Sequence, residues 1–222
     1  MLNHLRRFNT LTQVQLLSNR LRWFATKEMK VNEAGADQSA RDVFRLDNDT
    51  LAFRFTATLT NRNGSRFERL TSPQRLELWL RANDLMDAPA TATEDDLRGA
   101  QDLREAIHRI GTAVCENRRA SRTDVGIVNT ASELGDAHLV LESGRALWKS
   151  GGDNPIRDAL SIVAADAIAV LGGADRDRVK ACQGDGCTGL YVDTSRGNNR
   201  RWCSMNICGN KAKKSAMTAR AD

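Results

Sequence analysis

The sequence lacks any long apolar run, and this absence is the first constraint on its class. A membrane-spanning helix needs about 18 to 20 consecutive apolar residues. The longest apolar stretch, residues 161–172, is interrupted by Asp166, and we interpret it as a buried helix of a water-soluble protein. Of the 222 residues 41% are apolar and 27% are charged, which is typical of a globular protein with a core.

The chain also lacks the short motifs that mark several enzyme classes. It has no phosphate-binding loop, no dinucleotide fingerprint and no metalloprotease motif. His108 lies at helical spacing from Arg104 and is expected at the surface, while His138 is expected at a strand edge. Neither histidine has a nucleophile or acid near it in sequence that builds a catalytic set. We therefore predict that the protein is not an enzyme.

Positive charge is concentrated at the two ends of the chain. Residues 1–27 carry five basic residues and no acid, residues 28–175 carry 18 basic and 24 acidic residues, and residues 176–222 carry 10 basic and 4 acidic residues. The three segments therefore have net charges of +5, −6 and +6. A basic tail favours binding to polyanions such as nucleic acid, and solubility is the alternative reason for such a tail.

The basic leader, residues 1–40, has more than one interpretation. Its arginine-rich, acid-poor and mildly amphipathic start imitates a mitochondrial transit peptide. Met29 is a natural alternative start, because a polar stretch follows it. We favour a leader that is disordered or results from an over-extended start over a working targeting signal.

The body, residues 41–175, is predicted to be a mostly helical α+β domain with a small antiparallel sheet. Ser72-Pro73, Thr93 and Asn154-Pro155 are typical helix starts, because Ser, Thr and Asn cap the first N–H groups and Pro suits the first turn. Residues 51–59 alternate in polarity as a strand does, although they also place three apolar residues on one helical face. The predicted elements are a strand at 51–59, helices at 73–85, 93–117, 123–134 and 156–171, and a hairpin with strands at 138–141 and 145–148.

The C-terminal module, residues 176–222, contains four of the five cysteines in the spacing C-x4-C-x15-C-x4-C. Four thiolates suit a tetrahedral Zn²⁺ with each sulfur about 2.3 Å from the metal, and they leave no coordination position for water or substrate. We therefore predict a closed, structural Zn²⁺ site. The fifth cysteine, Cys115, is expected to be a small buried residue. The four predicted ligands are Cys182, Cys187, Cys203 and Cys208.

The residues between and after the ligand pairs predict a treble-clef-like arrangement. Residues 190–192 and 200–202 flank a loop of Thr, Ser, Arg, Gly and Asn and are predicted to form a hairpin. Residues after Cys208 favour a helix, whose dipole stabilises thiolates at its start. We expect Tyr191 and Trp202 to pack inside the module, and Asn198 and Asn199 to shape its turn.

Several segments of the chain resemble two known families. LYVDTSR (190–196), RRWCSM (200–205) and CGNK (208–211) closely resemble the CGNR zinc finger, and FERLTSP (67–73), LWL (78–80), DLREAI (102–107) and DAI (166–168) resemble its usual companion, the ABATE domain. The resemblance implies a bacterial, cytoplasmic, stress-linked transcription regulator whose zinc finger binds nucleic acid. Lys211 stands where the family motif has Arg, which keeps the charge but loses the bidentate guanidinium.

Charge and resemblance together predict a DNA-binding transcription regulator, with RNA as an open alternative. The body is expected either to sense a small-molecule effector or to form a homodimer, and no membrane contact is expected. A second hypothesis is a protein–protein interaction module in which zinc is only a scaffold, and a third is an enzyme in the ABATE-like body. The residues predicted to contact nucleic acid are Arg196, Arg200, Arg201, Lys211, Lys213 and Lys214.

Overall fold

The computed structural model describes residue 40, residues 43–86 and residues 90–219. The prediction for the basic leader therefore lies almost entirely outside the described residues. The described chain is mainly helical with small antiparallel sheets, which confirms the α+β class.

Six α-helices and three two-stranded antiparallel sheets make up the described residues. A 3₁₀ turn, Arg176–Arg178, leads into the C-terminal module, and a π-helical turn, Met205–Gly209, precedes its helix. The helices are α1 (Leu51–Thr56), α2 (Pro73–Ala82), α3 (Glu94–Cys115), α4 (Arg122–Glu133), α5 (Pro155–Gly172) and α6 (Asn210–Thr218). The strand pairs are β1 (Leu59–Thr60) with β2 (Phe67–Glu68), β3 (Ala137–Glu142) with β4 (Arg145–Ser150), and β5 (Val179–Ala181) with β6 (Leu190–Val192).

The helix starts follow the capping residues that the sequence offers. The Ser72 hydroxyl accepts the N–H of Arg75, and Thr93 forms a reciprocal capping box with Asp96. Asn154 accepts the N–H of Arg157 at the start of α5. These caps explain why α2, α3 and α5 begin within one residue of their expected starts. α4 and the β3–β4 hairpin are also found within a few residues of their expected bounds.

The strand predicted at residues 51–59 is wrong, because residues 51–56 form α1. All six residues of α1 are buried, including Arg54. A helix buried on every side has no solvent-facing stripe, so its sequence carries no reliable helical period. Leu59 does enter a strand, the two-residue β1.

The main core lies between α1, α2, α3 and α5 and continues into the C-terminal module. The rings of Phe55 and Trp79 are 4.9 Å apart at its centre. Leu190, Val179 and Val192, from the β5–β6 sheet of the module, belong to the same buried cluster. Gly111 of α3 leaves room for the Leu190 side chain, since a Cβ there would lie 2.5 Å from Leu190 Cδ1. The body and the module therefore share one core.

Candidate metal centre and the basic surface around it

The four predicted ligands converge at one point of the C-terminal module. Their sulfur atoms all lie within 4.8 Å of one another, and the Sγ of Cys203 is 3.7 Å from those of Cys187 and Cys208. A tetrahedron with metal–sulfur bonds of about 2.3 Å has edges of about 3.8 Å, whereas a disulfide needs sulfurs about 2.05 Å apart. All four cysteines are free thiols, so the cluster fits a tetrahedral metal ion and not a pair of disulfides.

Backbone N–H groups point at two of the sulfur atoms and fix the loops around them. Gly184 and Cys203 donate to Cys182 Sγ at 3.4 and 3.3 Å, and Gly189 donates to Cys187 Sγ at 3.4 Å. A Cβ on Gly189 would lie 2.9 Å from Cys203 Sγ and 3.3 Å from Cys187 Sγ. Glycine is therefore required where the backbone passes the ligand cluster.

The hairpin predicted between residues 190–192 and 200–202 is wrong. β6 pairs instead with β5, in the register Val179 opposite Val192. The second segment, residues 200–202, is not a strand. Two hydrogen bonds hold it in place: Tyr191 Oη donates to the Arg200 carbonyl at 2.5 Å, and the Gln183 N–H donates to the Arg201 carbonyl at 2.9 Å. The helix expected after Cys208 is present as α6.

Asp193 organises the loop between β6 and Cys203, a role that the sequence analysis missed. Its buried carboxylate accepts Lys180 Nζ at 2.7 Å, the N–H and hydroxyl of Ser195 at 2.9 and 2.6 Å, and the Arg200 N–H at 2.8 Å. Burial opposes its ionisation, but the bonds from Lys180, Ser195 and Arg200 outweigh burial and hold the pKa of Asp193 below its usual range. Asn198 adopts a positive φ of 48 in this loop, which agrees with its expected turn role.

Arg200 is used to fold the module and has little freedom to contact a ligand. Its guanidinium donates to the carbonyls of Trp202 and Cys203, both at 2.8 Å, and lies 4.9 Å from the centroid of the Tyr191 ring. Only 19% of its side chain is exposed. The structure therefore separates Arg200 from the other cations predicted to bind nucleic acid.

The remaining predicted cations are exposed and form what we call the basic surface. Arg201 donates to Gln183 Oε1 at 2.7 Å and stacks 5.0 Å from the centroid of the half-buried Trp202 ring. Trp202 in turn borders Gly209, at the start of α6, so this stack lies beside the first turn of that helix. The basic surface consists of Arg196, Arg201, Lys211, Lys213 and Lys214.

Polar contacts between residues far apart in the sequence dock the module onto the body. Asn48 Nδ2 donates to the Leu190 carbonyl at 2.8 Å, the Ser204 hydroxyl donates to Asp47, and His108 Nε2 bonds the Thr188 carbonyl at 2.8 Å. The partners lie up to 157 residues apart, so no local pattern reveals these contacts. They hold the metal cluster at a fixed place on the body.

The prediction that His108 is a surface residue is wrong. The side chain is half-buried between α3 and the loop that carries Cys187. Burial, together with the positive charge of Arg62, lowers the pKa of His108 to about 4. The ring is therefore neutral at neutral pH and donates from Nε2 to the Thr188 carbonyl.

Cys115 lies at the end of α3, apart from the metal cluster. It is half-buried, its Sγ is 3.6 Å from the Val179 carbonyl, and burial raises the pKa of its thiol to about 11. It lines an open cleft of about 450 Å³ together with Lys180, Asn199 and Arg201. The expectation of a small buried residue therefore holds only in part.

Comparison with known families agrees with this architecture. A model described as "CGNR zinc finger" matches residues 178–221, and the ABATE model, described as "Putative stress-induced transcription regulator", matches residues 49–174. The chain belongs to the ABATE family. No curated protein matches it. Among the helices of the described residues, none combines the length and apolar content that crossing a bilayer requires.

Proposed function

We propose that this ABATE-family protein is a zinc-finger nucleic-acid-binding protein that acts as a DNA-binding transcription regulator. The observation that carries the proposal is the basic surface, whose five cations are exposed on the same module as the four-cysteine cluster. Lysine and arginine side chains contact phosphates, and arginine also reads guanine. The matches to a zinc finger and to a regulator family support the same function.

Zn²⁺ is the metal that we propose for the cluster. Cys182, Cys187, Cys203 and Cys208 would hold it, and it would fold the segment that carries the basic surface. A four-thiolate site has no open position for water or substrate, which supports a binding role over a catalytic one. Free thiols of this kind suit a reducing compartment, and we place the protein in the cytoplasm.

Two parts of the basic surface act differently on a nucleic acid. Lys211, Lys213 and Lys214 are flexible point charges on α6, suited to phosphates. Arg201 is fixed by Gln183 and by Trp202, so its guanidinium is oriented before a ligand arrives. A pre-oriented guanidinium loses less entropy on binding, which makes Arg201 our candidate for base contact.

A gel-shift assay on the metal-loaded protein tests this proposal. Lys211→Glu/Lys214→Glu reverses two charges of the basic surface, and we expect it to lose most of its affinity for duplex DNA. Arg122→Glu/Arg157→Glu makes the same charge change on exposed first-turn positions of α4 and α5, where an acid suits the helix dipole. This control should bind as the wild type does, and equal losses in both variants would contradict a specific surface.

RNA is the alternative nucleic acid, since phosphate contacts do not distinguish the two. The same assay with single-stranded RNA and with duplex DNA decides between them. Preference for RNA by the wild type would replace DNA in the proposal and leave the role of the basic surface unchanged. Sequencing the nucleic acid that co-purifies with the protein would identify the target.

A protein–protein interaction module is the second candidate function. Met205 and Met217 are 59% and 64% exposed, and Ile207 is 37% exposed, all near the metal cluster or on α6. Exposed methionines are common at protein-binding surfaces. Met205→Ser/Met217→Ser should leave nucleic-acid binding intact under the first proposal and should abolish pull-down of a protein partner under the second.

The body has two proposed roles, sensing a small-molecule effector or forming a homodimer. The cleft beside Cys115 supports the first role because it joins the end of α3 to the loop that carries Asn199 and Arg201. A compound bound there would touch both the body and the basic surface. Thermal-shift screening with small organic anions tests this role, and stabilisation lost in Asn199→Ala would support it.

A further inference from the structure

The β3–β4 hairpin is a surface that the nucleic-acid proposal does not use. Its strands, Ala137–Glu142 and Arg145–Ser150, pair over six residues each around a tight turn. Ser143 and Gly144 both adopt positive φ, 51 and 76, as such turns require. No third strand joins this sheet within the described residues. Its outer edges therefore present backbone N–H and C=O groups without strand partners there.

One face of the hairpin carries large apolar side chains that the described residues leave uncovered. Leu141 is 81% exposed and Leu139 is 40% exposed. Leu139 lies opposite Trp148 and Leu141 opposite Ala146, so all four share one face. Trp148, at the inner end of this face, packs against the main core. A two-stranded sheet with an uncovered apolar face is marginally stable in water and is a template for further pairing.

β3 is complementary to a second copy of itself in one antiparallel register. When Val140 lies opposite Val140 of the second copy, a twofold axis passes between them. Leu139 then lies opposite Leu141 of the second copy, so each exposed leucine packs beside another. His138 lies opposite Glu142 of the second copy, so an imidazole faces a carboxylate twice, once on each side of the axis.

The outer strands extend this complementarity across the sheet. Lys149 lies beside His138, and Arg145 lies beside Glu142. Within one hairpin, Lys149 Nζ also lies 3.6 Å from Glu142 Oε2. In the paired sheet, each Glu142 would have Arg145 of its own copy on one side. On its other side would lie His138 of the second copy and, one strand further, Lys149 of that copy. Leu147 lies beside Val140, so the row across the axis is apolar throughout. Opposite charges and apolar pairs at facing positions both stabilise strand pairing.

Neighbouring registers of β3, and pairing through the β4 edge of the hairpin, lack this combination of opposite charges and apolar pairs. A shift of two residues one way places Glu142 opposite Asp136 of the second copy, two acids together, and the opposite shift places Val140 opposite Glu142. Pairing of β4 with itself about Leu147 places Arg145 opposite Lys149, two bases together. Charge complementarity therefore selects β3 and a single register.

We propose that the protein forms a twofold-symmetric homodimer in which two β3 strands pair antiparallel about Val140 and make a four-stranded sheet. This proposal names the surface for the dimer role of the body and rests on the hairpin alone. It holds or fails independently of nucleic-acid binding, because none of its residues belongs to the basic surface.

Sedimentation of the full chain over a concentration series tests the dimer. The wild type is expected to be a dimer, and Val140→Lys, which sets two lysines against each other on the axis, is expected to be a monomer. Val140→Thr keeps a β-branched side chain and should remain a dimer, as should Phe67→Lys, a control at a 58% exposed apolar site on another sheet. A wild-type monomer throughout, or a dimeric Val140→Lys, would overturn the proposal.

Folding of the Val140→Lys variant is checked by circular dichroism and thermal unfolding. If that variant does not fold, Glu142→Lys serves in its place, because Glu142 is exposed and its change leaves the apolar rows intact. Glu142→Lys also removes the ion pair with Lys149 of the same hairpin, so its folding is checked in the same way. It sets a lysine opposite His138 and beside Lys149 of the second copy. We expect at least a tenfold weaker dimer from Glu142→Lys, and unchanged dimerisation would count against the register.

Cysteine crosslinking tests the register directly. Facing residues of antiparallel strands have Cα atoms about 4.5 to 5.5 Å apart, within the range that a disulfide spans. Metal-loaded Val140→Cys should therefore form a covalent dimer on mild oxidation. Ala146→Cys should not, because the two β4 strands would lie about 14 Å apart, three strand spacings. Crosslinking of Ala146→Cys alone would overturn the proposal.

Hydrogen exchange distinguishes a second copy from a segment of the same chain. Protection of the β3 amides should increase with protein concentration if a second copy pairs with this edge. Protection that stays the same at dilutions where sedimentation finds the monomer would show that the edge is covered within one chain, and the proposal would then be wrong.

Discussion

At the scale of single residues, the fold of the C-terminal module depends on side chains other than the four cysteines and the basic surface. Arg200 and Asp193 are two such side chains. Arg200 donates to the carbonyls of Trp202 and Cys203, and the Asp193 carboxylate accepts four hydrogen bonds, from Lys180, Ser195 and Arg200. The sequence predicted Arg200 only as a nucleic-acid contact and assigned Asp193 no role of its own. Their burial and their partners, which decide their roles, depend on how the loop folds back on β5.

Replacing Asp193 by Asn is expected to destabilise the module. The change leaves Lys180 without its carboxylate and weakens the bonds from Ser195 and Arg200, and breaking a buried ion pair costs about 3 kcal/mol. Urea unfolding of the metal-loaded protein measures this loss. Asp185→Asn, at an exposed acid of the same module, is the control and should change little. A stable Asp193→Asn variant would show that the loop is held by other contacts.

Replacing Gly189 by Ala is expected to weaken metal binding about tenfold or more, as changes next to ligands commonly do. The new Cβ would lie 2.9 Å from Cys203 Sγ, so the backbone or the sulfur must shift. Competition with a chromophoric chelator measures the affinity. In Gly197→Ala the new Cβ meets only the Asn199 side chain, at 3.3 Å, and that variant should bind metal normally. Equal affinities in the two variants would contradict the crowding argument.

At the scale of elements, the starts of helices could be predicted from local capping residues, whereas the pairing of β6 with β5 could not. The starts of α2, α3 and α5 follow Ser72, Thr93 and Asn154, whose side chains cap the next turn. α1 was missed because it is buried on all sides. β6 was assigned the wrong partner because its true partner, β5, comes before the first ligand and has only three residues.

α3 and the Cys187 loop are joined by His108, which makes their contact sensitive to pH. The pKa of His108 in the folded protein is about 4, and an unperturbed histidine has a pKa of about 6.5. Between these values the unfolded chain binds a proton that the folded chain does not. Stability is therefore expected to fall as the pH drops from about 6.5 to about 4.

The His108→Gln variant isolates this contribution, because Gln can donate to the Thr188 carbonyl but does not titrate. Between pH 7.5 and pH 5 the wild type should lose about 2 kcal/mol more than the variant. Urea unfolding at both pH values, with saturating metal, gives the difference. Identical pH dependence in the two proteins would mean that His108 titrates normally.

At the scale of the whole molecule, the two family-matched segments share one core and should unfold together. Leu190 packs against Gly111 of α3, and Val179 and Val192 join the same cluster. Removing the metal should therefore destabilise α3 and α5 as well as the module. Hydrogen exchange with and without a chelator measures this, and unchanged protection of α3 and α5 would show that the module folds separately.

The metal cluster was the part of the site most fully predictable from the sequence. Its four ligands follow from spacing and thiolate chemistry alone, and the structure brings all four sulfurs together. The basic surface was predictable only as a list of cations. Fold geometry separates the structural Arg200 from the exposed Arg201, although the two are adjacent in sequence.

The central claim is that the metal centre presents the basic surface to nucleic acid, and the salt dependence of binding tests it most directly. Anisotropy of labelled duplex DNA, measured with the metal-loaded protein over a salt series, should give affinities that fall linearly on logarithmic axes, with a slope of about 0.9 per phosphate contact. Lys211→Glu/Lys214→Glu should reduce that slope by about 2. Binding that is independent of salt, or no binding to DNA or RNA at any salt concentration, would contradict the account.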